Sequence, residues 1–357
     1  MPSLRILTAP EQVADHLREE LIRQRWRETM PGIHRLSSEL GLPRKPVEAA
    51  LLLLEREGML QSQGSGKRRK IVLPEHTSPP SMRVAILLGD INDRQTGYMV
   101  DLQHRLIETG HSVSYCLPPK GPAEGYKSRI TRLVARTPAD AWIVVAGSHA
   151  VLTWFVEKEV PVLALFGRRR KLPLAGVGPE KADAYTEATR RLIQLGHRRI
   201  VLLARRARRL PEPGAAEQAF LDELQANGIE PSTYNLPDWQ ESVEGFHARL
   251  ESLFELTPPT AFIIDEVPLL VAAQQFFAFK GISAPRDISL ICLDPDPAFS
   301  WCRPSMAHVH WDPTPVVRRI VNWANNIARG KDDRRQSFTK AKFIEGGTIG
   351  PAKPPFQ

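Results

Sequence analysis

The chain has 357 residues, of which 42% are hydrophobic and 25% charged, and its formal net charge is +8. This length exceeds one ordinary domain core, so we expect two or three globular domains. No apolar run reaches 18 residues, and residues 1–10 lack the apolar core of a secretory signal, so we expect a cytoplasmic protein without a transmembrane helix. The three cysteines stand far apart, which excludes a disulfide framework and a zinc spacing.

Positive charge is concentrated near the N-terminus. Residues 1–73 contain 13 Lys and Arg against 9 Asp and Glu, a net +4 of the total +8. A basic surface of this kind favours a polyanionic partner, and the elements that carry it decide which partner is meant.

Three helices are predicted in this region. Apolar residues at helical spacing predict the first over 11–28, before Pro31 and Gly32. A short second helix over 33–40 ends at Gly41, and a third runs over 44–57 with Pro46 in its first turn. Two extended segments, 59–61 and 70–73, then flank a glycine-rich basic tip.

Two helices joined by a tight turn and followed by a basic hairpin are typical of a winged helix-turn-helix. The second of these helices enters the DNA major groove with its first residues. Arginine can bond guanine in a bidentate way, and basic residues at the hairpin tip neutralise phosphates. The predicted DNA-contacting residues are Arg35, Arg44, Lys45, Gly64, Gly66, Lys67, Arg68 and Arg69.

This region resembles the GntR-type winged-helix domain over about 60 residues without a gap. The matching segments are Met30-Pro31-Gly32, Arg35-Leu36, Glu39-Leu40-Gly41-Leu42, Val47-Glu48-Ala49-Ala50-Leu51, Glu57-Gly58-Met59-Leu60 and Gly64-Ser65-Gly66. The family usually has Ser where Pro43 stands and Thr where Pro46 stands. The loss of both hydroxyls leaves more of the DNA contact to Arg44 and Lys45.

The rest of the chain alternates strands and helices. A proline-containing linker is predicted over 74–82. The pattern beyond it predicts two α/β lobes, because nearly all-apolar strands between helices indicate a parallel sheet covered on both faces. Strands are predicted at 83–88, 112–116, 141–146, 160–165, 199–204, 261–264 and 288–292, and helices at 98–109, 125–137, 182–195, 216–227 and 268–279.

Residues 83–349 resemble the LacI/GalR-type effector domain, which is similar to periplasmic sugar-binding proteins. The resemblance lies in 195–200, 259–265, 280–290 and 303–309. With the N-terminal domain, the whole chain looks like an arabinose-repressor-type chimera. The predicted fold is therefore α/β, with a winged helix-turn-helix over 1–73, a linker over 74–82, and a two-lobed periplasmic-binding-protein-like α/β sensor domain over 83–349.

In such a fold a ligand binds between the lobes, at the carboxyl ends of the strands. Carboxylates and amides there can bond sugar hydroxyls, and an aromatic face can pack on a sugar ring. The candidate ligand residues are Asp90, Asn92, Arg94, Ser148, Phe166, Arg168, Asp265 and Asp294. Asp90 and Asp294 could instead cap helices. His197 is interpreted as a packing residue, and the runs 168–171 and 205–209 as solvated faces that a phosphorylated effector could use.

Two departures from the family bear on the ligand. The resemblance implies an Arg in the segment 215–220, where there is none, and an Asp where Gly178-Pro179 stands. The predicted function is a DNA-binding transcriptional regulator, by resemblance a repressor, that works as a homodimer gated by a sugar-like effector. The alternative is a ligand-independent DNA-binding protein whose C-terminal domain only dimerises. An enzyme is not expected, since nucleophile-elbow, HExxH and dinucleotide motifs are missing, and no cofactor or metal is predicted.

Overall fold

The computed structural model describes residues 8–22, 26, 28–64, 66–72, 81–117 and 126–353. The chain divides into two compact units, one of Met1–Met82 with Ile107–Ser112 and the other of Arg83–Leu106 with Val113–Gln357. Most of the predicted linker, residues 74–80, lies outside the described residues, as do Ser65 and Leu73 of the predicted hairpin. The boundaries 1–73, 74–82 and 83–349 stay a prediction.

The N-terminal unit is a small helical domain with a two-stranded hairpin. Its helices bury one apolar face each, and the shared core includes Leu17, Leu36, Val47, Leu51 and Leu54. The hairpin strands pair antiparallel, with Leu60 opposite Ile71. The elements are α1 (Ala9–Ile22), α2 (Ile33–Leu40), α3 (Arg44–Arg56), β1 (Leu60–Gln61) and β2 (Lys70–Ile71).

The last part of the first predicted helix differs from the prediction. Helix α1 covers Ala9–Ile22, and Trp26 and Glu28, which the sequence pattern placed in the helix, lie in bends, while residues 23–25 and 27 lie outside the described residues. Thr29 forms an antiparallel bridge with Lys70, and the N–H of Ile71 donates to the carbonyl of Glu28 at 3.0 Å. Glu28, the last residue of the predicted helix, thus bonds to the hairpin, because the β2 edge satisfies its carbonyl group.

The larger unit contains one ten-stranded sheet. Its order is β4-β3-β5-β6-β7-β12-β11-β10-β9-β8. Each strand from β5 to β10, apart from the end of β7, is almost wholly buried, which matches its apolar sequence. The strands are β3 (Arg83–Leu87), β4 (Ser112–Cys116), β5 (Ala141–Val145), β6 (Val162–Leu165), β7 (Ala175–Glu180), β8 (Ile200–Leu203), β9 (Ala261–Ile264), β10 (Ser289–Cys292), β11 (Ala307–Trp311) and β12 (Gln336–Ile344).

Strand β12 joins two parallel halves and brings their carboxyl ends together. Its first residues pair parallel with β7, and its last residues pair antiparallel with β11. Glu180 at the end of β7 lies opposite Lys340, and Trp311 at the end of β11 lies opposite Ala341. The carboxyl ends of the two halves therefore meet at neighbouring residues of β12. This defines the cleft, named here as the loops that follow β3, β5, β6 and β7 in one half and β8 to β11 in the other.

Helices pack on the sheet and complete three further hydrophobic clusters. The predicted two-lobed α/β architecture is confirmed, but helices α6, α8, α10 and α12 and strands β7 and β12 were not predicted. The helices are α4 (Gly97–Glu108), α5 (Tyr126–Arg136), α6 (His149–Glu157), α7 (Ala182–Gln194), α8 (Arg206–Arg209), α9 (Ala215–Ala226), α10 (Val243–Leu256), α11 (Val267–Phe279) and α12 (Thr314–Ala328).

Candidate functional site

The turn between α2 and α3 places the start of α3 at the surface. Gly41 has φ +64°, in the left-handed region that glycine adopts without strain, and its N–H donates to the carbonyl of Ser37. The chain is extended at Pro43 and enters α3 at Arg44. Because Val47 and Leu51 are buried in the domain core, the first turn of α3 is held rigidly against α1.

Arg44 and Lys45 occupy the first two positions of α3. Both side chains are exposed, and neither forms an ion pair with a described residue. The amino end of a helix carries a partial positive charge, so two cations there are unfavourable for the isolated helix. A pair of cations that costs stability in a fixed, exposed position is typical of a functional surface.

The predicted hairpin contacts divide into two kinds. Lys67 and Arg68 are exposed at the tip, where Gly64 and Gly66 have positive φ. Arg69 instead forms an ion pair with Glu55 of α3, and both side chains are about one-fifth exposed. Arg35 is largely exposed and pairs with Glu39 one turn along α2 at 2.7 Å. Arg69 therefore anchors the hairpin to α3, while the tip cations stay free for a partner.

In the cleft, two candidate ligand residues cap helices. The Asp90 carboxylate accepts the N–H of Asn92 at 2.9 Å, and Asp93 in turn accepts the N–H groups of Gly89 and Asp90. Ser148 accepts the N–H of Val151 at the start of α6. Asp90 therefore caps a helix, as the alternative interpretation of this residue predicted. Asn92 and Arg94 are exposed, and the Arg94 guanidinium lies 4.8 Å from the centre of the Tyr115 ring.

An aromatic cluster lies where the two halves meet. The Phe166 ring makes edge contacts with Tyr98 of α4 and with Trp311 of β11, at centroid distances of 6.0 and 5.6 Å. Tyr98 and Trp311 also contact each other, at 5.5 Å. Phe166 follows β6 and Trp311 ends β11, so this cluster spans both halves of the sheet and gives the cleft an apolar wall.

Arg168 crosses from one half to the other. It follows β6, and its guanidinium donates to the carbonyl oxygens of Ala207, Arg208 and Glu212 at 2.7, 2.9 and 2.5 Å. All three acceptors lie in or beside α8 of the other half. Arg168 therefore connects the two halves of the sheet through three hydrogen bonds.

Asp265 lies at the centre of a buried ion network. It follows β9, is 1% exposed, and accepts the N–H of Arg205 at 3.1 Å. The Arg208 side chain approaches it at 2.8 Å and lies 3.9 Å from Glu217 on α9. Burial raises the pKa of Glu217, and the charge of Arg208 opposes that rise. Arg208 of α8 thus carries the positive charge that faces both of these carboxylates.

Two further ion pairs complete the cleft. Lys181, at the end of β7, donates to Asp294 at 2.5 Å and to the carbonyl of Leu293 at 2.9 Å. Arg205 pairs with Glu266. Burial and then the charge of Asp265 raise the pKa of Glu266 to about 7, even though Arg205 opposes the shift. The cleft therefore holds a carboxyl group that titrates near neutral pH.

Several of these residues were missed in the sequence. The interpretation of 168–171 and 205–209 as solvated faces is wrong at five residues, which are buried or partnered: Arg168, Arg169, Arg205, Arg208 and Arg209. A run of basic residues usually lies at the surface, so the composition of these segments gave no sign that some of their arginines are buried or paired. Their place in the chain could have identified them, since Arg205 to Arg209 directly follow a strand, as Asp265 and Asp294 do. His197 is buried and bonded to Thr260 and Ser289, as its packing interpretation predicted.

A cavity of about 330 Å³ lies elsewhere in the larger unit. It is lined mainly by apolar side chains, including Phe277, Ile282, Leu290 and Met306. Leu290 and Met306 are at the amino ends of β10 and β11, so this cavity is at the edge of the sheet opposite the cleft. It lacks the convergent charged groups of the cleft, which we therefore regard as the candidate site. In the described part of the chain no helix is long and apolar enough to cross a membrane.

Comparison with known protein families identifies both domains. The family described as bacterial regulatory proteins, gntR family, matches residues 9–67, and the periplasmic binding protein-like domain matches residues 189–349. A relative from Streptomyces limosus, described as an uncharacterized HTH-type transcriptional regulator in the aml 5' region, is 23% identical over 278 residues. The match covers 73% of this chain and 76% of the relative.

Solved structures show the same fold at low identity. The lac repressor dimer bound to operator and the anti-inducer ONPF is 17% identical with a TM-score of 0.61, covering 78% of this chain and 99% of that one. A LacI family regulator from Enterococcus faecium with bound ribose is 17% identical with a TM-score of 0.60, covering 76% and 100%. The CelR–cellobiose complex is 16% identical with a TM-score of 0.59, covering 89% and 100%.

These findings confirm the two predicted resemblances. The chain combines a GntR helix-turn-helix domain with a periplasmic-binding-protein-like domain, the architecture of a transcriptional regulator and not of an enzyme.

Proposed function

We propose that this helix-turn-helix transcriptional regulator is a cytoplasmic repressor that binds operator DNA as a homodimer and is gated by a sugar-like effector. The observation that carries the proposal is the cleft, where charged and aromatic side chains from both halves of the sheet converge on one place. The solved relatives with ribose and cellobiose support a sugar-like effector, and those described as dimers support the assembly.

DNA binding is assigned to the start of α3 and the hairpin tip. Arg44 and Lys45 would reach base edges, while Lys67 and Arg68 would neutralise phosphates. Arg35 would contact the backbone in place of its present partner Glu39, and Arg69 would contribute mainly by holding the hairpin.

Gating would act on the contacts that join the two halves. The hydrogen bonds of Arg168 and the Tyr98–Phe166–Trp311 cluster stabilise one arrangement of the two halves around the cleft. An effector changes DNA affinity only if it binds one arrangement more tightly than another, so it must compete with these contacts or reinforce them. A dimer would convert this change into a change in the spacing of its two DNA-binding helices.

The DNA-binding part is tested by Arg44→Ala, measured by fluorescence anisotropy on DNA fragments from upstream of the protein's own gene. Loss of a bidentate base contact should weaken specific binding about 10-fold or more. Arg56→Ala is the matched control, because Arg56 is an exposed cation at the other end of α3. Equal affinity of the wild type and Arg44→Ala would remove α3 from the interface.

The gating part is tested by a thermal-shift screen against monosaccharides, sugar acids, sugar phosphates and oligosaccharides. A ligand at a hundred times its dissociation constant stabilises its domain by about 2.7 kcal/mol, which is easily measured. A hit should also change operator affinity, and Arg168→Ala should reduce that change while leaving operator binding by the free protein intact. A hit that leaves operator affinity unchanged would contradict gating.

One observation favours the ligand-independent alternative. Asp90 and Ser148 are used as helix caps, and the cations of the cleft already have partners in the chain. In that case the larger unit would only dimerise the DNA-binding heads. A screen without a hit, together with a dimer in sedimentation analysis, would support this function over the gated one.

A further inference from the structure

Among the cleft side chains that form the ion and hydrogen-bond network, carboxylates outnumber cations. The acidic residues come from four separate segments of the chain, and the cations from three. The carboxylates are Asp90, Asp93, Glu217, Asp265, Glu266 and Asp294, and the cations are Arg168, Lys181, Arg205 and Arg208.

Each of these four cations is already engaged. Lys181 binds Asp294, Arg205 binds Glu266, and Arg208 binds Asp265. Arg168 gives its guanidinium to backbone carbonyls. Within this network an anionic ligand would have to break one of these contacts and would meet several carboxylates, which disfavours a phosphate or carboxylate group at this place.

Asp93 and Glu266 form the most acidic part of the cleft. The half-buried Tyr98 lies next to them, and its pKa is raised by burial and then by the charges of Asp93, Asp294 and Glu266. Asp93 is bonded to two backbone N–H groups, and Glu266 shares Arg205 with the nearby charges of Glu241 and Asp90. The Arg205 guanidinium thus faces several carboxylates, so this part of the cleft carries a net negative charge.

A second observation points to a missing ligand. The Tyr185 hydroxyl, the indole N–H of Trp311 and Oε1 of Glu217 are buried, and none has a hydrogen-bond partner among the described residues. Tyr185 and Glu217 are 1% and 3% exposed. Buried polar groups normally have partners, and leaving one without costs about 1–3 kcal/mol. Burial and then the charge of Glu217 raise the pKa of Tyr185, Arg208 opposes the rise, and Asp265 and Asp294 add to it, so the hydroxyl lies beside the same ion network.

The unpartnered groups are the kind that bind a polyol. Tyr185 and Trp311 can each donate to a ligand oxygen, and Glu217 can accept from a ligand hydroxyl. The rings of Tyr98, Phe166 and Trp311 provide an apolar wall for a sugar ring and a face for a cation.

We infer that the effector is a hydroxylated molecule with a positive charge, such as an amino sugar, whose ammonium group binds among Glu266, Asp93 and Asp294. This inference rests on the proposed function, because it names the chemical class of the ligand for the same cleft. It has a pH signature as well. Ammonium binding favours the ionised form of Glu266, so affinity for an amine that stays protonated, such as putrescine, should rise as the pH increases through about 7.

The test is calorimetric binding to the full chain with matched probes. Glucosamine, galactosamine and mannosamine are each compared with the N-acetyl derivative and the neutral parent sugar, and putrescine and spermidine serve as amines without a ring. We expect at least one amine to bind about 10-fold or more tightly than both of its neutral counterparts, since a charged hydrogen bond contributes about 1.5–3 kcal/mol.

The outcomes separate the inference from the proposed function. A neutral sugar that binds as tightly as its amine, and changes operator affinity, overturns the positive charge and leaves a gated repressor. If none of the probes binds, the inference is overturned, and the ligand-independent alternative replaces the gated repressor as the proposed function. Preferential binding of an amine that also changes operator affinity supports both.

Variants assign the preference to the cleft. Glu266→Gln and Asp294→Asn should each reduce the amine-to-N-acetyl affinity ratio toward one, and two variants keep the test valid if one of them misfolds. Glu251→Gln is the control, because it removes an equivalent charge from a surface pair with Lys280 on α11's C-terminal side. An unchanged ratio in both cleft variants, with intact operator binding, overturns the assignment.

Discussion

The two regions to which the proposed function assigns DNA binding and effector binding use the same residue types in opposite ways. In the N-terminal unit, Arg44, Lys45, Lys67 and Arg68 are exposed and form no ion pair with a described residue. In the cleft, Lys181, Arg205 and Arg208 are each paired with a carboxylate. In the proposed function the unpaired cations bind an external partner, whereas the paired cations stabilise the fold of the protein.

This contrast separates affinity from stability. Replacing an exposed, unpaired cation should change binding and leave folding intact, because no carboxylate loses its partner. Replacing a paired cation in the cleft leaves a buried carboxylate uncompensated, so it should act first on stability. The predictions below break or sharpen this contrast, from the largest expected effect to the smallest.

The largest effect is expected for Arg208→Ala. It removes the partner of Asp265, which is 1% exposed, and the nearest cation to Glu217. We expect the larger unit to lose about 3 kcal/mol of its free energy of unfolding, measured by urea denaturation. Arg206→Ala, an exposed neighbour on the same helix, should change it by less than about 0.5 kcal/mol. Equal stability of the two variants would show that the network does not hold the cleft.

A smaller, pH-dependent effect is expected for Glu266→Gln. The pKa of Glu266 is about 7 in the folded chain and near 4.5 when unfolded, so the folded state favours the protonated carboxyl. The wild type should therefore lose stability as the pH rises from 4.5 through 7, by at most about 3 kcal/mol. The variant lacks this loss, so its stability relative to the wild type should improve between pH 5 and pH 8.

The measurement is urea denaturation of both proteins at the two pH values, with Glu251→Gln as a variant whose difference from the wild type should not depend on pH. A relative stability of Glu266→Gln that falls toward pH 8 would mean that the ion pair with Arg205 outweighs burial.

The sequence predicted the fold better than the cleft. Apolar strands such as 141–145 and 261–264 were found because both faces are buried. Strand β7 was missed because Gly176, Gly178 and Pro179 are poor strand residues, and β12 because it exposes alternate side chains and has no apolar run.

The cleft was predicted by position but not by role. Asp265 and Asp294 were identified because each follows a strand, and both lie in the ion network. The same rule selected Asp90 and Ser148, which cap helices, since the residues that bond sugars also accept backbone N–H groups. Arg208 could not be assigned because its partner Asp265 is far away in the sequence, and only the folded sheet brings them together.

The smallest effect concerns the hairpin, where the contrast exists between neighbouring cations. Lys67 is exposed at the tip, whereas Arg69 pairs with Glu55. Lys67→Ala should lower the slope of log affinity against log salt by about one without changing stability, because it removes one phosphate contact. Arg69→Ala should destabilise the N-terminal unit by about 1 kcal/mol, since Glu55 loses a partly buried partner. Salt-dependent anisotropy and urea denaturation measure the two effects. If Lys67→Ala alters stability, or Arg69→Ala alters only the salt slope, then exposure and pairing do not separate binding from folding in this domain.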